Sequence, residues 1–66
     1  MTILCAVTTP TGSVIELHYE SRKYRTVSRV IESEVEVSAE DAAEWYETAR
    51  QLGGVMYRPL PERGAG

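Results

Sequence analysis

The sequence predicts an α+β fold, an antiparallel sheet of three to five strands in ββ(β)βαβ order with one amphipathic helix packed on one face. Three observations carry that expectation. Residues 13–20 alternate apolar and polar with period two, the signature of a half-buried strand. Residues 39–52 repeat apolar positions at helical spacing. Each pattern presents one apolar face, and each needs the other to bury it.

The first element is residues 2–8, Thr-Ile-Leu-Cys-Ala-Val-Thr, short, apolar and stopped by Thr9-Pro10-Thr11-Gly12. Proline and glycine two apart are a turn signal, so residues 2–8 and 13–20 form a hairpin. In the second strand Ile15, Leu17 and Tyr19 share one face, and Glu16, His18 and Glu20 share the other, expected to be solvated. Ser21-Arg22-Lys23 is a polar break with no defining turn pair. Alternation resumes through residues 24–37, much longer than the usual strand of about five or six residues. The stretch is one bent strand or two, and the doubled apolar pair Val30-Ile31 suggests a bulge beside a break at Glu32-Ser33.

Ser38 caps the helix, and Asp41 three residues on is placed to reach back, a variant of the capping box. Glu40 and Asp41 suit the positive end of the helix dipole. Ala39, Ala42, Ala43, Trp45, Tyr46, Ala49 and Leu52 form the buried stripe, and Gly53-Gly54 ends it with a residue free to take positive φ. A short strand at residues 55–58 follows. Residues 1–58 are therefore expected to form one domain, and residues 59–66, opening with Pro59-Leu60-Pro61, a C-terminal tail.

A chain of 66 residues buries a small core, which dimerisation or docking on a larger partner would support. No apolar run is long enough to span a bilayer as a helix, and no basic residue precedes the apolar start as in a secretory signal. With a single cysteine, Cys5, no internal disulfide forms, and the expected compartment is the cytoplasm. No phosphate-cradling glycine loop, paired histidines or nucleophile elbow is present. Glu16, His18 and Glu20 would stand about 7 Å apart along a strand, too far to share one ion. Cys5 and His18 are the only pair suited to nucleophilic catalysis, and Cys5 reads better as a small buried hydrophobe. The expectation is a protein without catalytic residues, metal or cofactor.

The most unusual feature is how charge is distributed. A net charge of −3 conceals two adjoining blocks of opposite sign. Residues 21–31 carry Arg22, Lys23, Arg25 and Arg29 with no acid, and residues 32–50 carry Glu32, Glu34, Glu36, Glu40, Asp41, Glu44 and Glu47 against Arg50 alone. The acids read either as a solvated face or as an acidic surface that occupies a basic surface of a larger nucleic-acid-handling protein. The second reading is the expected function: a non-catalytic inhibitor or adaptor of phage or mobile-element type, with an anti-CRISPR-like blocker as one form. Two alternatives remain. Arg22, Lys23, Tyr24, Arg25 and Arg29 mix cations with an aromatic, as a nucleic-acid-binding module would. The simpler reading of Arg25 and Arg29 is pairing with carboxylates on a neighbouring strand. A homodimer joined through an exposed sheet edge is the other alternative.

Overall fold

The computed structural model describes residues 2–61. Their order is β1 (Thr2–Thr8), β2 (Val14–Glu20), β3 (Lys23–Ser28), β4 (Ser33–Val37), α1 (Ala39–Gln51) and β5 (Val55–Met56). The strands form one antiparallel sheet with spatial order β4-β3-β2-β1-β5, and α1 packs on one face of it. This is the expected α+β architecture, with the stretch 24–37 resolved into two strands.

Each turn has a local cause. Between β1 and β2, Gly12 N–H donates to Thr9 O at 2.9 Å and Gly12 takes φ +90°, so Pro10 opens the turn and glycine closes it. Between β2 and β3 the turn has only two residues, Ser21 (φ +53°) and Arg22 (φ +64°). That geometry normally selects Asn-Gly, which is why Ser-Arg gives no turn signal in the sequence. Between β3 and β4 the expected bulge does not occur. Ser28 pairs with Ser33 across a four-residue loop, Arg29–Glu32, closed by Glu32 at φ +50°. Val30 and Ile31 form its tip, 62% and 71% exposed, so their apolar character mimicked a continuing strand.

A β-bulge lies instead in β1, where the register shifts between Ile3 and Cys5. The extra residue lets consecutive Leu4 and Cys5 both reach the core, at 1% and 0% exposure. It also frees the Leu4 carbonyl to accept the Tyr57 and Arg58 N–H groups at 2.8 and 3.1 Å, which holds the chain beyond β5 against β1.

The core joins Leu4, Cys5, Leu17 and Tyr24 of the sheet to Ala42, Tyr46 and Ala49 of the helix. Small alanines let the helix backbone approach the strands, while Tyr46 reaches past the sheet and donates its hydroxyl to Arg58 O at 2.9 Å. Trp45 packs at the margin of the same cluster. Ser38 Oγ accepts from Asp41 N at 3.1 Å, as a cap should. The return bond from the Asp41 side chain is not formed, since aspartate is one methylene shorter than the glutamate that usually makes it. Gly53 (φ +82°) and Gly54 donate to Arg50 O and Ala49 O, closing the helix with a Schellman motif. A Cβ on Gly54 would stand 2.6 Å from Ala6 O, so this glycine is where α1 meets β1.

Three boundaries differ from expectation. Leu52, placed in the buried stripe, is the C-cap residue and is 70% exposed because the stripe has rotated off the sheet by that point. The last strand is Val55–Met56 rather than residues 55–58, since the chain turns at Leu4. The tail does not begin at Pro59. Leu60, the only large aliphatic side chain after Met56, is 6% exposed and belongs to the same core cluster as Tyr46. The rest of the expected tail, residues 62–66, lies outside the described residues.

Candidate functional site

The sheet has two unlike faces, and strand pairing assigns each charged residue to one of them. Cys5↔Leu17↔Thr26↔Val35 and Tyr19↔Tyr24↔Val37 are rows on the helix side. Tyr19 and Tyr24 pack there with ring centroids 4.8 Å apart. Alternation turns the rows Ile3↔His18↔Arg25↔Glu36 and Ala6↔Glu16↔Val27↔Glu34 to the outer side.

On that outer side the basic segment is tied to carboxylates. Arg25 lies between two acids, with Nε 3.3 Å from Glu34 Oε1 and a terminal nitrogen 3.9 Å from Glu20 Oε1. Arg29 places both Nε and a terminal nitrogen 3.2 Å from Glu16 Oε1. The same oxygen accepts from His18 Nε2 at 2.8 Å. The His18 hydrogen bond, helped by Arg29, holds the Glu16 carboxyl below its ordinary range although burial opposes it. The expectation that Glu16, His18 and Glu20 make a solvated face is therefore corrected. His18 is only 4% exposed, flanked in register by Ile3 and Arg25, and the Glu16 side chain is 13% exposed. Neighbours on β1 and β3 and the bonds of Glu16 to His18 and Arg29 lie beyond residues 14–20 or across their alternation, so no pattern within that strand reveals them.

Of the basic candidates, Arg22 and Lys23 stand exposed at the β2–β3 turn without an ion pair among the described residues. Tyr24, the aromatic of that set, is buried at 2% exposure in the core and presents no stacking surface.

The acidic candidates are divided between two layers. Glu34 and Glu36 lie on the outer side of the sheet, and Glu32 stands exposed in the loop before them. On α1, Ala42, Tyr46 and Ala49 face the sheet, so Glu40 and Glu44 point the opposite way with Asp41 flanking them. Glu47, on the same helix face as Glu40 and Glu44, bonds Arg50. Among the described residues Glu32, Glu36, Glu40, Asp41 and Glu44 make no ion pair. The acids thus form two exposed sets on opposite sides of a two-layer body rather than one face. The cause is the link at Ser38, which carries the chain directly from an edge strand into the covering helix.

No family model, curated protein or solved structure matches the chain.

The remaining chemistry is sparse. Cys5 points into the core and His18 to the outer side, so the sheet separates them, and burial pushes the Cys5 thiol up to about 11. No group of three His, Cys, Asp or Glu side chains among the described residues is placed to hold a metal ion. No helix among them is long and apolar enough to cross a membrane. What the arrangement offers is open negative charge beside β4, an edge strand among the described residues. The sequence leaves open whether residues 24–37 are one strand or two, because Val30 and Ile31 obscure the end of β3.

Proposed function

We propose that the protein is a non-catalytic interaction module that sets its acidic surface against a basic surface of a larger nucleic-acid-handling protein. One observation carries the reading. Five carboxylates of the acidic block remain unpaired among the described residues, whereas Arg25 and Arg29 of the neighbouring basic block are bonded to acids. Open charge of one sign steers and selects a partner of the other sign. The basic segment supports a nucleic-acid-binding role less well, with Arg22 and Lys23 its open cations and Tyr24 buried.

Because the acids lie on both layers, a flat basic patch engages one set and a basic cleft engages both. A nucleic-acid channel is such a cleft, and a module seated in it acts as an inhibitor or adaptor. The narrowest form is the phage- or mobile-element-type blocker expected above.

The test is capture of nucleic-acid-handling proteins by the immobilised wild-type chain and by two charge-reversed variants, Glu32→Lys/Glu36→Lys and Glu40→Lys/Glu44→Lys. The expected result is a captured protein that DNA or RNA displaces and that both variants fail to retain. Equal retention by all three proteins, with unchanged circular dichroism, would refute the acidic surface.

A further inference from the structure

We propose that the outer edge of β4 is a docking edge for an extended basic segment of the partner, which joins the sheet as an additional strand. This rests on the acidic-surface reading and names the part of the partner that the strand side of that surface receives.

The two edges of the sheet are not equivalent. At one end, β5 is two residues long, and the chain after it is held to Leu4 before reaching Pro59. At the other, β4 offers five residues whose outer backbone groups have no strand beside them among the described residues. Unpaired edge N–H and C=O groups are a template for another strand. The helix does not obstruct that edge, since it packs on β1, β2, β3 and β5 and leaves Val35 54% exposed.

Side-chain parity then selects the occupant. Glu34 and Glu36 stand on the outer side of β4 and Val35 on the helix side. An added strand pairs like for like across the pleat, so its outer positions meet glutamates and its alternate position meets valine. Lysine or arginine at every second position, with an aliphatic or threonine residue between, satisfies both. A second copy of this chain does not. An antiparallel β4–β4 pair that keeps both helices on one side sets glutamate against glutamate wherever two or more residues of each β4 pair, because Glu34 and Glu36 share one parity. The charges that close the edge to itself leave it open to a strand of opposite sign.

The test uses the intact protein, isotope-labelled, and two synthetic peptides of identical composition at low ionic strength. One alternates Lys with Val or Thr, and the other groups its lysines together. The expected result is that the alternating peptide binds at least about tenfold more tightly, a difference of about 1.4 kcal/mol. It should also slow amide hydrogen exchange across Ser33–Val37. Val35→Lys, a change at an exposed position, should abolish that preference while leaving the helix signals in place. Equal affinity for the two peptides, with shifts confined to Glu40 and Glu44, would overturn the docking edge and leave the acidic surface standing. Binding of neither peptide would overturn both.

Discussion

The basic and acidic stretches adjoin in sequence and serve different ends in the fold. Arg25 and Arg29 lie across the outer side of the sheet and tie β3 and the following loop to carboxylates on β2 and β4. Glu36, Glu40 and Glu44 make no ion pair among the described residues. Two cations of one stretch brace the sheet, and five acids of the other make no ion pair among the described residues. A net charge of −3 reports neither.

That contrast can be broken most severely at Glu16, the acid that anchors both His18 and Arg29. Replacing it with alanine removes the acceptor from a buried ring nitrogen and a guanidinium together. We expect Glu16→Ala to lower unfolding free energy by about 1–3 kcal/mol in chemical denaturation. The same residue gives the contrast a pH signature. Its carboxyl is held below the ordinary value of 4.5, so its contribution to stability is present above that pH and is lost as pH falls through the folded value. A plot of stability against pH should therefore fall on the acid side of 4.5, and Glu16→Gln should flatten that part of the curve.

Arg25 is a smaller lever, since its partners Glu20 and Glu34 are themselves about half exposed. Arg25→Met keeps much of the stem that covers the sheet and removes both pairs, for an expected loss of about 0.5–1 kcal/mol in the same assay. Glu44 should give the smallest effect and the opposite sign. It is four residues from Glu40 and three from Glu47 on one helix face, where like charges repel. Glu44→Gln should leave thermal stability unchanged or raise it by a few tenths of a kcal/mol.

Much of this fold is legible in the sequence where local chemistry dictates local geometry. Pro10 and Gly12, the alternation of residues 14–20, Ser38 as a cap and Gly53 at the helix end each act through their own backbone. The parts that escape are those decided by distant neighbours or by strain that the sequence does not advertise. Ser21 and Arg22 adopt positive φ without a glycine between them. Val30 and Ile31 look like strand residues and sit at an exposed loop tip. Leu60 follows a proline, as a tail residue would, yet is buried beside Tyr46. His18 stands between two glutamates in alternation and is covered from strands on both sides.

The candidate site was legible in kind and not in arrangement. Sequence identifies which block holds the acids, but not that Ser38 sends Glu34 and Glu36 to one side of the body and Glu40 and Glu44 to the other. It favours Arg25 and Arg29 as sheet pairs over nucleic-acid contacts, without saying which acids they meet. The structure supplies the partners, Glu34 and Glu20 for Arg25 and Glu16 for Arg29.

The most direct test compares two double variants, Arg25→Gln/Arg29→Gln and Glu36→Gln/Glu44→Gln, for both denaturation midpoint and affinity for the alternating basic peptide. The arginine variant should lose stability and keep its affinity, while the glutamate variant should keep its stability and bind at least about tenfold more weakly. A glutamate variant that unfolds earlier and binds as well as wild type would contradict both expectations.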